Sequence, residues 1–171
     1  NLIYVSKSNN KNSSSILEIK NFKLNKAPGL AKLLSLADLQ GLTDALKGEG
    51  ISFDSLTIKY ESTPTWMDIK EIFLLGPSIS VLIEGYFDKK KDILSLRGTM
   101  VPAKTLNSIV SKIPIVGDIL IGKKVGEGVF GVSFKVKGPT NDLKTTVNPV
   151  KTLTPRFITR ILEGMKKKQA K

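Results

Sequence analysis

The chain has 171 residues, of which 40% are hydrophobic and 25% are charged, as is typical of one folded domain with its own core. It contains no cysteine and no histidine, which excludes disulfides, Cys/His zinc sites, cysteine nucleophiles and histidine-based acid–base catalysis. The formal net charge of +12 favours polyanionic partners, and no apolar run reaches the ~18 residues that a membrane helix needs.

The first 29 residues contain a polar segment and one strand. Residues 6–15, SKSNNKNSSS, have the low complexity of a flexible loop or of a long turn between strands. Residues 16–25, ILEIKNFKLN, predict a strand. We therefore separate residues 1–29, a partly low-complexity segment with one strand, from a main domain over residues 30–171.

Two short helices are predicted next. Pro28 is suited to the first turn of a helix, and leucines follow it at helical spacing. Asp38 is the expected N-cap of the second helix, which ends at Gly48 and Gly50.

The pattern then changes to strands, predicted over residues 51–62, 67–76, 78–88 and 92–101. The first of them changes its apolar phase between Phe53 and Leu56, which predicts a bulge or an edge position. The turn KKK at 89–91 has the length of a hairpin connection.

The second half begins with a short predicted helix over 103–112, which overlaps the start of the apolar, glycine-interrupted stretch 107–134. Strands are predicted within 128–138 and 143–149, and a C-terminal helix over 154–165. The short connections favour an α+β fold: a curved, mostly antiparallel sheet of about six or seven strands, with short helices on one side or at one end.

No residue pattern supports catalysis or a metal site. The carboxylates are scattered, and we expect Asp54 and Glu84, which lie within apolar strands, to be the most buried of them. The segment GKKVGEG at 122–128 lacks the glycine and Ser/Thr spacing of a phosphate loop. We predict a protein that is not an enzyme, with no cofactor and no metal.

Nucleic acid is not a predicted partner, since aromatic residues make up only 6% of the chain and lysines greatly outnumber the three arginines. The well-defined apolar strand faces have two interpretations. They form the core of a closed domain, or they line an open groove for acyl chains, which need continuous apolar contact and no hydrogen bonds.

The groove interpretation supplies three sets of candidate residues. The predicted groove lining is Leu94, Leu96, Met100, Phe130, Val132, Phe134 and Val136. The predicted cap of the groove, or membrane contact, is Ile113, Ile115, Val116, Ile119, Leu120 and Ile121. The predicted contacts with anionic head groups are Lys123, Lys124, Lys166, Lys167 and Lys168.

Three segments carry a resemblance to a known family: LSLADLQGLTDALKGEGISFDSLTIKY at 34–60, GYFDKKKDILSLRGTMVPAKTLNSIVSKIPIVGDILIG at 85–122, and GEGVFGVSFKVKGPTNDLKTTVNPVKTLTPRFITRILEG at 126–164. In their order they resemble the C-terminal region of bacterial AsmA-like (YhdP/TamB-type) proteins, over about four-fifths of the chain. One departure is TPRF at 154–157, where a Pro-Gly pair is expected.

The resemblance implies that residues 30–171 are an AsmA-like C-terminal domain with an open apolar β-groove. It implies a periplasmic module, tethered to the inner membrane through a segment of a longer chain that precedes this one. Its function would be the transport of phospholipid toward the outer membrane, in bacterial envelope biogenesis. The expected partners are phospholipid or a membrane surface, the N-terminal remainder of that longer chain, and an outer-membrane protein.

An alternative function uses the same fold without lipid. A non-catalytic structural or assembly module would dock onto an outer-membrane partner, its apolar faces would be ordinary core, and its strand edges would pair with neighbouring strands. An open or a closed apolar sheet face distinguishes the two.

Overall fold

The structure is a computed structural model that describes residues 1–9, 11–103, 131–150 and 153–169. The strands are β1 (Leu2–Asn9), β2 (Asn12–Leu24), β3 (Ile51–Ser62), β4 (Trp66–Leu75), β5 (Ile79–Asp88), β6 (Ile93–Pro102), β7 (Gly131–Pro139) and β8 (Lys144–Val150). The helices are α1 (Pro28–Leu36), α2 (Gln40–Lys47) and α3 (Pro155–Gln169).

The eight strands form one open sheet in which every neighbouring pair is antiparallel and the spatial order follows the chain order, from β1 to β8. This confirms the α+β fold with an open antiparallel sheet that is not closed into a barrel. The sheet has eight strands, one more than the upper end of the expected six or seven.

The additional strand comes from the polar N-terminal residues, for which we predicted a flexible loop or a long turn between strands. Both alternatives were wrong for residues 6–9 and 12–15. They form the β1–β2 hairpin instead, in which Ser6 pairs with Ser15 and Asn9 with Asn12. A strand needs only backbone partners on its neighbour, and β3 supplies these to β2 from Ser62 to Ile51. Polar side chains therefore did not prevent this segment from joining the sheet.

The register assigns each side chain to one of two faces of the sheet. One face, which we call the apolar face, carries Ile69, Leu96 and Val136 in a single cross-strand row. The opposite face, which we call the charged face, carries Glu84, Arg97 and Lys135 in the next row.

Each face has its own helical cover and core cluster. On the apolar face α1 and α2 pack over one end of the sheet, where Leu34, Leu46 and Met100 are at most 1% exposed. On the charged face α3 packs through Phe157 and Ile161. Helices thus lie on both sides of the sheet, and those on the apolar face cover one end of it.

The predicted start of α1 is confirmed, and the predicted N-cap of α2 is wrong. Pro28 begins α1, as predicted. Asp38 does not cap α2, because it adopts a left-handed conformation with φ 57° and its N–H bonds to Ser35 at the end of α1. The N-cap of α2 is Leu39.

Two irregularities interrupt the sheet. The phase change of β3 coincides with Asn21 of β2, which has φ 52° between the pairs Lys20–Ser55 and Phe22–Phe53. The predicted irregularity is therefore present, but β3 is an internal strand and not an edge. In β4, an extra residue at Lys70 shifts the register against both neighbouring strands and forms a β-bulge.

Candidate functional site

The apolar face has no charged side chain in four consecutive cross-strand rows. One row runs through Ser15, Tyr60, Ile69, Leu96 and Val136. The rows beside it run Leu17–Ile58–Ile72–Ile83–Gly98–Phe134, Ser62–Met67–Phe87–Leu94, and Ile19–Leu56–Leu74–Val81–Met100–Val132. The solvated face of a sheet normally carries polar and charged side chains. An uncharged face of this extent therefore indicates burial or an apolar ligand.

The helices cover only part of this face. Met100, Val132 and Phe134 lie beneath α1 and α2, which reach across the sheet to β8 and β3 respectively. Toward the other end the apolar side chains are half-buried and belong to neither core cluster: Leu17, Ile58, Met67, Ile69, Ile72, Phe87, Leu94 and Leu96. In the described part of the chain, the face is thus plugged at one end and uncovered at the other.

The predicted groove lining is divided between these two parts. Met100, Val132 and Phe134 are 0%, 2% and 2% exposed and are core residues in this structure. Leu94 and Leu96 lie on the uncovered part, and Val136 borders the core. Phe130 lies outside the described residues.

Most of the remaining predicted contacts lie outside the described part of the chain. This holds for the cap residues Ile113, Ile115, Val116, Ile119, Leu120 and Ile121 and for Lys123 and Lys124. Lys166, Lys167 and Lys168 belong to α3, but their side chains are not described. Sequence reasoning did not assign the capping role to α1 and α2, although their leucines, spaced for one helical face, were the available signal.

On the charged face, ion pairs join α3 to the sheet. The buried Glu71 of β4 lies 3.0 Å from Arg160, 3.2 Å from Lys59 and 3.7 Å from Arg156. Arg156 also bonds to Glu84 and donates to the carbonyl of the bulge residue Lys70 at 2.6 Å.

The prediction that Asp54 and Glu84 are the most buried acids was wrong. Both are half-buried, whereas Glu71 is 4% exposed. The bulge at Lys70 places Glu71 on the charged face beside Phe73, and no sequence pattern predicted that bulge.

A shallow cleft of about 640 Å³ opens on the charged face beside this cluster. Five cationic residues and two carboxylates line it: Lys70, Arg97, Lys135, Lys137 and Arg156, with Asp68 and Glu84. Tyr86 and Ser95 add hydroxyl groups, and the Tyr86 ring is stacked on Trp66 at 4.4 Å between centroids.

Hydroxyl groups cluster at the β1 edge of the apolar face. The Ser15 hydroxyl is bonded to Ser6 at 2.9 Å and to Tyr4 at 3.3 Å. Hydrogen bonds from Ser15, then from Tyr60 and Ser6, lower the pKa of Tyr4 from 10.0 to about 8. On the charged face, hydrogen bonds to Asp68 and Glu61 raise the pKa of Lys70.

Among the described residues no three acidic side chains lie close enough together to hold a metal ion. On the charged face, the carboxylates of Glu71 and Glu84 are paired with arginines in structural ion pairs. What the described sites offer chemically is an uncharged surface on one face and a basic cleft on the other.

Comparisons of the chain with protein-family models, with curated proteins and with solved structures find no match. Across the residues that the structure describes, no helix has both the length and the apolarity required to cross a membrane.

Proposed function

We propose that this chain is a non-catalytic module that carries or channels phospholipid, with the acyl chains held against the uncovered part of the apolar face. The observation that carries the proposal is that the four rows of that face have no charged side chain, and that no described helix covers the part of them around Leu94 and Leu96. Acyl chains gain about 25 cal/mol for each Å² of apolar surface removed from water, without hydrogen bonds.

The shape of the face supports movement along one direction. α1 and α2 close the end at Met100 and Val132, while Phe87, Leu94 and Met67 lie toward the other end. A lipid would enter at the uncovered end, where it meets half-buried side chains instead of packed core. The proposed lining is therefore Leu94 and Leu96, as the sequence predicted, together with Ile58, Ile69 and Phe87 of the neighbouring strands.

The biological setting is part of the same proposal and rests on the AsmA-like resemblance. The module would work in the periplasm, as part of a longer chain anchored in the inner membrane, and pass phospholipid toward the outer membrane. It would have no enzymatic activity and no cofactor.

The test is lipid occupancy of the purified protein. We expect organic extraction and mass spectrometry to recover phospholipid, and a phospholipid with a photoreactive acyl chain to crosslink to Leu96 or Ile69. Leu96→Asp places a charge on the uncovered face and should abolish both results. Ser14→Asp, an exposed position on the charged face, is the matched control and should retain them. Absence of lipid and of crosslinks from the folded wild type would refute the proposal.

A second candidate function follows from β1. Leu2, Ile3, Tyr4 and Val5 of this edge strand are between 49% and 66% exposed. An unpaired apolar edge favours strand addition by another protein segment, and the module would then dock onto an outer-membrane protein without handling lipid. The docking function predicts that binding of a partner protein requires β1 and that no lipid co-purifies with the chain.

A further inference from the structure

The cleft on the charged face has an excess of positive charge that its own residues do not neutralise. Of its two carboxylates, Glu84 accepts a hydrogen bond from Arg97 Nε at 2.7 Å and is also bonded to Arg156. Asp68 is paired with Lys70 at 2.5 Å. Both acids therefore already have cationic partners.

Lys135 and Lys137 are the cations left over. Both are exposed on β7, and neither forms an ion pair or a side-chain hydrogen bond with any residue in the described ranges. Among the described residues, these two lysine ammonium groups of the cleft have no counter-charge. They lie next to Arg97, whose partner carboxylate on Glu84 is shared with Arg156.

The strand register brings these like charges next to one another. Lys135 is the direct cross-strand partner of Arg97, and Lys137 is the partner of both Ser95 and Lys144. Side chains directly opposite in an antiparallel pair have Cβ atoms about 4.5–5.5 Å apart, and like charges at that distance destabilise the sheet. Two like-charged pairs side by side on one surface are explained if an external anion neutralises them.

Hydroxyl groups complete the polar lining. Ser95 lies between Tyr86 and Lys137 in one cross-strand row, so both hydroxyl-bearing residues lie on the same face of the sheet as the two lysines. Lysine ammonium groups bind phosphate as point charges, and hydroxyls donate to its remaining oxygens.

We propose that this cleft binds a phosphate group through Lys135, Lys137 and Arg97, with Ser95 and Tyr86 as hydroxyl donors. The ligand is a phosphate ester, whose source is a lipid head group or a small soluble phosphate. The site lies on the opposite face from the acyl-chain surface proposed above, so each proposal can fail without the other.

The test uses two probes on the full chain. Binding of inorganic pyrophosphate is measured by calorimetry, and binding to phosphatidylcholine vesicles with and without phosphatidylglycerol by co-sedimentation. The site variant is Lys135→Gln/Lys137→Gln. The control, Lys7→Gln/Lys11→Gln, removes the same charge from exposed positions in the β1–β2 hairpin. Thermal unfolding verifies that both variants fold.

At about fivefold per lysine, we expect the site variant to bind anionic vesicles roughly 25-fold more weakly than wild type. Pyrophosphate binding should weaken as well, and the control should retain both. Loss with both probes identifies a lipid head group as the source, and loss with pyrophosphate alone identifies a soluble phosphate. Equal losses in the two variants, or no binding of either probe by wild type, would overturn the proposal.

Discussion

The guanidinium of Arg160 lies 3.0 Å from the carboxylate of Glu71, and this ion pair joins α3 to the centre of the sheet. Glu71 is 5% exposed at its side chain and Arg160 is 16% exposed. The Arg160 guanidinium also lies 4.8 Å from the centroid of the Phe73 ring. The position of α3 on the charged face therefore depends on a buried charge as well as on the apolar contacts of Phe157 and Ile161.

Glu71→Gln should destabilise the fold strongly. It leaves Arg160, Arg156 and Lys59 without their shared carboxylate, and removing one partner of a buried pair costs about 3–5 kcal/mol. Because the arginines are partly exposed, we expect the lower end of that range, measured as the free energy of unfolding in urea. The control is Glu61→Gln, whose exposed pair with Lys70 should contribute less than about 1 kcal/mol. Equal effects of the two variants would contradict the structural role of Glu71.

Gly98→Ala tests the close packing of β6 against β7. A Cβ at Gly98 would lie 2.4 Å from the ring of its cross-strand partner Phe134 and 2.6 Å from the carbonyl oxygen of Leu82. Since that carbonyl belongs to the backbone, the overlap cannot be relieved by side-chain rotation, and we expect a loss of about 1–3 kcal/mol or more.

The control for this substitution is Gly41→Ala in α2. A Cβ there meets nothing within 4 Å, so the gain in helix propensity should raise the free energy of unfolding by about 0.5–1 kcal/mol. Urea denaturation of both variants gives the comparison. A Gly98→Ala protein as stable as Gly41→Ala would show that the ring of Phe134 does not lie over Gly98.

Much of this fold could be predicted from residue patterns because the strands carry strong local signals. The β5–β6 hairpin was found from two alternating runs around Lys89, Lys90 and Lys91. Pro28 marked the start of α1, and the change of phase after Phe53 marked a true irregularity. In each case the physical cause acts within a few residues of the chain.

The rest depended on contacts between distant segments. The polar β1–β2 hairpin is held by backbone pairing with β3, for which serine and asparagine carry no side-chain signal. Burial of Glu71 depends on the bulge at Lys70 and on arginines more than 80 residues away in the sequence. The candidate site shows the same limit: Leu96 and Met100 have the same alternation, but only the placement of α1 and α2 makes one of them core.

Tyr4 should lose its phenolic proton at an unusually low pH for a tyrosine. Hydrogen bonds from Ser15, Tyr60 and Ser6 favour its phenolate and lower its pKa to about 8. A spectrophotometric titration of the folded protein should therefore show a phenolate step near pH 8. The step should be lost in Tyr4→Phe and kept in Tyr86→Phe, which alters a ring on the other face of the sheet.

The same shift predicts a change in stability with a definite sign. Because the folded-state pKa of Tyr4 is lower than its ordinary value of 10.0, its deprotonation favours the folded state. Relative to Tyr4→Phe, wild type should gain stability as the pH rises from about 8 to about 10 and lose that gain as the pH falls through about 8. A constant difference between the two proteins over this range would show that the hydrogen bonds do not favour the phenolate.

The outer edge of β1 should make the protein self-associate at high concentration. Leu2, Ile3, Tyr4 and Val5 expose apolar side chains on both faces of an edge strand that has no partner on its outer side in the described part of the sheet. An inward or edge-placed lysine opposes pairing between such edges, because a second strand would have to bury its charge. Ile3→Lys should thus shift sedimentation velocity profiles toward the monomer.

Asn148→Lys is the control for this substitution. It adds the same charge to the exposed surface of β8, the opposite edge, and should leave the profiles unchanged if association proceeds through β1. An equal shift in both variants would mean that net charge, and not the β1 edge, controls association.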